Sequence, residues 1–289
     1  MSVTLVSPAL NAGDTRPSSD VPQRAALLAA LLPARGGVGW AAEPYVAWWT
    51  PRPAARLVQG DRALVVVADE DGTEVGWQLP GREPYAPDLT SDAGDTPGAV
   101  REVLRLVLPV LDGELAARAG KGGPRVVGRL AVLEEIGHAL RREGTVTHLR
   151  AGLVSTSSLV WSAPSGLRFA VSLHGTNPVG DVSVTGPVRA VERAVAHFLP
   201  TPAHRVPRQP LRGVRGRLAR RLAAYLGRLG PVEQLDTGGL AFGGGVGPYG
   251  YAAPAPDPAA RVGDTSPATV DLHGVGVDLL LSLAAPLSR

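Results

Sequence analysis

Apolar and polar positions change period several times along the chain, and each change marks a boundary between predicted elements. Ala63 to Ala68 is a continuous apolar run, Asp71-Gly72 supplies a turn, and Val75, Trp77 and Leu79 then alternate with other residues. That order is the pattern of a β-hairpin. Leu159, Val160 and Trp161, the pair Ser165-Gly166, and the alternating Phe169, Val171 and Leu173 repeat it further on. Elsewhere the period is helical. Leu130, Leu133, Ile136 and Leu140 share one predicted helix face, Val188, Val191, Val195 and Phe198 a second, and Leu218, Leu222, Tyr225 and Leu229 a third. Ala25 to Leu32 predicts an opening helix for the first hairpin.

The patterns recur in a fixed order. AVREVLRLVLP (Ala99 to Pro109) matches AVERAVAHFLP (Ala190 to Pro200), each behind one of the hairpins. GRLA at Gly128 recurs at Gly216, and VSVTG ending at Gly186 corresponds to VDLHG ending at Gly274, both pairs at an offset of 88 residues. The sequence therefore predicts an α+β protein of two or three repeated α-β-β-(β)-α units, with antiparallel sheets covered by helices. Breaker residues divide it into a flexible tail (1–20), a first unit (21–115), a second (126–200) and a third (212–289) whose hairpin, around GLAFGGGVGPYGYAAP, is degenerate. Ala116 to Arg125 and Thr201 to Arg212 are expected to be linkers, and Tyr85 to Gly98 and Ala253 to Pro267 long loops.

Composition narrows the function classes. With 289 residues, 44% hydrophobic and 19% charged, the chain can bury a sizeable core. No apolar run approaches the roughly 20 residues of a membrane helix, so no membrane span is expected. The first twenty residues lack a basic region followed by an apolar core, which predicts a cytoplasmic protein. The absence of cysteine removes disulfide and thiol chemistry. Lys121 is the only lysine, and with the abundance of Ala, Gly, Pro and Val this is the residue usage of a GC-rich coding sequence, as in actinobacteria.

Few motifs carry chemistry. Gly245 to Gly250 matches GxGxxG, but YAAPAPDP behind it cannot form the helix that would hold a pyrophosphate. Glu135 and His138 form ExxH on one helix face without the second copy that carboxylate-bridged metal sites use, so a solvated face is the expectation. His174 and Asp181 flank a turn, where a structural role is expected. No catalytic residue, metal ligand or cofactor site is predicted.

Charge and aromatics point instead to binding. From Arg193 to Pro231 there is no acidic residue, whereas Asp69 to Asp95 is strongly acidic. Arg212, Arg215, Arg217, Arg220 and Arg221 are candidate partner-binding residues, and segment 193–228 could serve nucleic acid. Stacking aromatics are not interleaved there, and a solvated helix face or a match to the acidic first unit explains the same charges. Trp48 and Trp49 are the other candidates: adjacent residues of a strand would point to opposite faces, placing one away from the local core.

Duplicated α+β units without a catalytic constellation, in a cysteine-free chain of this composition, resemble the YbjN and type III secretion chaperone-like domains. Such domains occur in tandem near actinobacterial type VII secretion and toxin loci. The resemblance rests on the unit order in residues 127–200 and its echoes. It implies a non-enzymatic, secretion-associated adaptor or chaperone-like protein that binds another protein through a sheet face or apolar patch, and it transfers no functional residue. The strand-then-helix segments GDVSVTGPVRAVERAVAHFL and ATVDLHGVGVDLLLSLA are also similar to the end of sterol-carrier-like domains, which would imply a small apolar ligand.

Overall fold

A computed structural model describes residues 20–82, 84, 86–92, 95–120, 128–151, 156–175, 177–201, 211, 213–244, 247–254 and 263–289. The predicted tail, the middle of the second linker and most of the second long loop lie outside these residues. Among the described residues no helix is long and apolar enough to cross a membrane.

Helix α1 (Asp20–Leu31) opens the first region and is followed by an antiparallel meander of five strands: β1 (Ala41–Tyr45), β2 (Ala54–Gln59), β3 (Arg62–Ala68), β4 (Gly72–Gln78) and β5 (Leu89–Asp92). Then come α2 (Thr96–Glu102), a π-helical turn (Val103–Val107) and α3 (Leu108–Ala119). The carboxylate of Asp95 caps α2 by accepting the Gly98 N–H at 2.9 Å. The next strands are preceded by α4 (Arg129–Arg142) and run β6 (Thr147–Ala151), β7 (Thr156–Ser162), β8 (Arg168–His174), β9 (Val179–Pro187), then α5 (Val188–Ala196). The last region runs α6 (Arg217–Leu226), β10 (Val232–Gln234), β11 (Leu240–Phe242), β12 (Tyr249–Pro254), β13 (Pro267–Gly276), α7 (Val277–Ser282) and α8 (Ala284–Leu287). The fold is α+β with two antiparallel sheets.

Strands β6–β9 and β10–β13 form one eight-stranded sheet in the order β10-β11-β12-β13-β9-β8-β7-β6. Strands β6–β9 lie between α4 and α5, and β10–β13 between α6 and the pair α7 and α8; the two sets join through the antiparallel β9/β13 pair. Ser183 of β9 faces Asp271 of β13, and these two residues are 88 positions apart, the offset at which GRLA recurs. Ser183 is also the midpoint of β9.

The hairpins fall where the alternation places them. Val75 sits opposite Val66, and Trp161 opposite Phe169 with the rings stacked at 4.9 Å. Gly166 adopts φ +79 in the Ser165-Gly166 turn, a conformation open to glycine and strained for other residues. The strand count exceeds the predicted two or three per unit because β1 (AAEPY), β6 (THLRA) and β10 (VEQ) are exposed strands at sheet edges, and because the expected long loop Tyr85 to Gly98 instead contributes edge strand β5 and the start of α2. A strand facing water on both sides needs no apolar alternation. Two further expectations are corrected. Leu130 is exposed and Val132 joins Leu133, Ile136 and Leu140 in the buried face of α4, while the first linker starts later than expected because α3 continues to Ala119.

One apolar core takes in α1 to α8 and the inner faces of both sheets. Its continuity explains how the π-helical turn and α3 meet β13: a Cβ on Gly276 would fall 2.8 Å from the Pro109 ring. The Trp161 indole N–H donates to the Leu287 carbonyl at 3.1 Å, anchoring α8 to β7. Strand β3 is buried on both faces. The β1–β2 loop folds over the far side of the first sheet, packing Ala47 and Trp49 on Val65 and Val67. Arg52 fastens that loop by pairing with Asp69 at 2.8 Å and with Glu74.

A charged cluster is buried where the first region meets the C-terminal helices. Arg62 pairs with Asp278 and, through Nε, with Asp112 at 2.9 Å. Arg35 pairs with the same two carboxylates at 3.1 and 3.2 Å. Two guanidiniums and two carboxylates close a neutral square, with the Trp40 ring 5.2 Å from the Arg62 guanidinium carbon.

Candidate functional site

Alternation gives the eight-stranded sheet two unlike faces. Leu159, Phe169, Val171, Val182, Val184, Val270 and Leu272 point to the helices, so their neighbours in sequence point outward. One outward row has a member from every strand: Glu233, Ala241, Tyr251, Asp271, Ser183, Ala170, Val160 and His148. Eight strands at about 4.8 Å spacing make a face about 34 Å across, and strands averaging about six residues make it about 20 Å long. Its area of roughly 700 Å² is close to one partner's share of a standard protein interface, about 800 Å².

A chain of polar contacts crosses this face. The Thr156 hydroxyl lies 3.0 Å from His174 Nδ1, and His174 Nε2 lies 3.0 Å from Asp181 Oδ2. The other oxygen of Asp181 lies 2.9 Å from His273 Nδ1. His273 in turn sits under two tyrosines, with centroid separations of 5.4 Å to Tyr249 and 5.9 Å to Tyr251. Tyr249 and Tyr251 are 50% and 49% exposed, the largest side chains that β12 turns to water. Gly250 between them is required by packing: a Cβ there would fall 1.8 Å from the Asp271 carbonyl oxygen.

Thr156, His174 and Asp181 follow the order of nucleophile, base and carboxylate, but they lie open on the face, with the His174 and Asp181 side chains 47% and 39% exposed. A charge developing there would be screened by water, whereas catalytic triads work beside preorganised donors in a desolvated site.

The residues singled out from sequence occupy other surfaces. Trp48 and Trp49 lie in a turn and not in a strand, yet they diverge as expected of a strand: Trp48 is 58% exposed, and Trp49 packs on the small cluster over β3. Arg212 lies outside the described residues. The Arg215 backbone N–H donates to Gln234 Oε1 at 2.6 Å, covering edge strand β10, and Arg217 is exposed at the start of α6. Arg220 donates to the Val214 carbonyl at 2.9 Å. Arg221 is held by Glu192 at 2.6 Å and Asp264 at 3.0 Å, and Arg189 pairs with Asp264 at 2.9 Å. These hydrogen bonds lower the Asp264 carboxyl below its ordinary range and raise the Arg221 guanidinium above its own. The acidic match to this segment therefore comes from the second and third units, not from the first.

The remaining motifs resolve simply. Glu135 accepts the Gly36 N–H at 2.8 Å and lines, with His138, Arg141 and Leu149, a cleft of about 710 Å³ between α4 and the first region. Among the described residues no three His, Asp or Glu side chains are placed to hold a metal ion. Tyr249 and Gly250 of GxGxxG belong to a strand, and Gly245 and Val246 lie outside the described residues.

Sequence reasoning missed the open face as a unit. The only local signals were the i, i+2 pair Tyr249 and Tyr251 and the placement of His174 near Asp181. Comparison with family models, curated proteins and solved structures found no match to this chain.

Proposed function

We propose that this protein is a non-enzymatic, protein-binding adaptor or chaperone-like protein, and that its partner docks on the open face of the eight-stranded sheet. The observation that carries the reading is the exposed Tyr249–Tyr251 pair on a continuous outward face of interface size. Tyrosine offers a large rigid contact with one polar end, and it is enriched where proteins bind one another. The surrounding Ser158, Ala170, Ser172, Ser183, Thr185 and Thr269 are short, so a partner can approach the sheet closely. The architectural resemblance to YbjN and type III secretion chaperone-like domains favours the same use of a sheet face.

The other readings have less behind them. The groove between α5 and α6 is lined mainly by charged side chains, and the α4 cleft, although largely apolar, is rimmed by Glu134, Glu135 and Arg141, which suits a small apolar ligand less well than a closed apolar cavity would. Nucleic acid would meet an arginine segment whose Arg221 is already paired within the chain. The test is affinity purification of the full chain from its own host beside a Tyr249→Ser/Tyr251→Ser variant with an unchanged circular dichroism spectrum. Loss of a specific protein partner in the variant is expected. Retention of the same partner, or recovery of a bound metabolite and no protein, would overturn the proposal.

A further inference from the structure

We infer that the segment docking on this face presents arginine side chains to the half of the sheet built from β10–β13. The inference rests on the proposed use of the face and adds the chemistry of the partner. Asp271 stands beside Tyr251 in the same cross-strand row, and Glu233 lies two strands away on the other side of Tyr251. Neither carboxylate has a hydrogen bond or ion pair among the described residues, whereas both oxygens of neighbouring Asp181 are engaged by His174 and His273. The outward cations of the sheet, Arg150 and Arg168, belong to the β6–β9 half. The tyrosine half is therefore acidic and aromatic.

That combination selects among partners. An apolar segment laid over Tyr249 and Tyr251 would desolvate Asp271 with nothing to compensate it, at considerable cost. An acidic segment would be repelled. A guanidinium satisfies both features, because its flat face stacks on a tyrosine ring while its edge donates to a carboxylate. Residues i and i+2 of a strand lie about 6.6 Å apart. Tyr249 and Tyr251, each half exposed and in ring contact with His273, thus offer two neighbouring aromatic surfaces on which a planar side chain can stack.

The test titrates the ¹⁵N-labelled full chain with the peptide acetyl-Gly-Arg-Gly-Arg-Gly-amide, with a Gly-Glu peptide of equal length as control. Shifts are expected to cluster in Val232–Gln234, Tyr249–Pro254 and Pro267–Gly276, and to be absent with the glutamate peptide. Asp271→Asn with Glu233→Gln should weaken binding about ten-fold, and Tyr251→Ala about five-fold. Equal response to both peptides, shifts centred on the acidic stretch Asp69–Asp92, or binding indifferent to these substitutions would overturn the inference. So would sedimentation showing the face occupied by a second copy of the chain. If the native partner is lost on changing the tyrosines but ignores the charge substitutions, the arginine inference fails while protein binding stands. If it survives the tyrosine changes, both fail.

Discussion

Replacing Asp278 by alanine removes one corner of the buried square and leaves Arg35 and Arg62 facing Asp112 alone. Asp278 is 1% exposed and the Arg62 side chain 8%, so water cannot substitute for the lost carboxylate. Breaking a buried pair by deleting one partner costs about 3–5 kcal/mol, because the remaining charge stays buried. Here the residual group carries one net positive charge, and Arg62 loses its contact with Asp278 while keeping Asp112. At about 2–4 °C per kcal/mol for a chain of this size, the melting temperature should fall by roughly 6–20 °C. Differential scanning calorimetry of Asp278→Ala reads this directly. The double substitution Asp278→Leu/Arg62→Met removes one charge of each sign and should recover part of the loss, since apolar replacement of a buried pair is often neutral or stabilising. A loss below about 1 kcal/mol for Asp278→Ala, or a double variant less stable than the single, would refute the reasoning.

Three further outcomes follow from the same structure. Gly250→Ala forces a Cβ against the Asp271 carbonyl and should destabilise by about 3 kcal/mol, measured by urea denaturation, with the β12/β13 amides losing exchange protection first. Burial, aided by Arg101, lowers the His197 imidazole below its ordinary value. The unfolded chain then binds more protons below about pH 6.5, so stability should fall as pH drops through that value and His197→Gln should flatten the dependence in chemical denaturation. The hydrogen bond from Arg52 holds the Asp69 carboxyl below its usual range, so Arg52→Ala should raise the Asp69 midpoint seen by carboxyl NMR and free the loop that carries Trp48 and Trp49.

The elements legible in the sequence were those whose cause is local. Phe169, Val171 and Leu173 alternate because one face of β8 is open and the other buried, and Gly166 marks its turn because few residues tolerate that φ. The edge strands β1, β6 and β10 left no such trace, because their partners supply the pairing and their side chains answer to water. The buried square was invisible for another reason: Arg62 and Asp278 are separated by most of the chain, and each reads singly as an ordinary surface charge. Arg220 and Arg221 illustrate the reverse. They read as free cations in sequence, while the fold satisfies them with a backbone carbonyl and two carboxylates. The open face combines both limits, since Tyr251, Asp271 and Ser183 are neighbours only through sheet register.

Hydrogen exchange of the chain with and without the partner recovered with it tests the central claim most directly. Binding on the open face predicts new protection concentrated in β12, β13, β9 and β8, with α6 and the Trp48 turn unchanged. Protection confined to α6 or to residues 46–53, with the central strands unaltered, would contradict it.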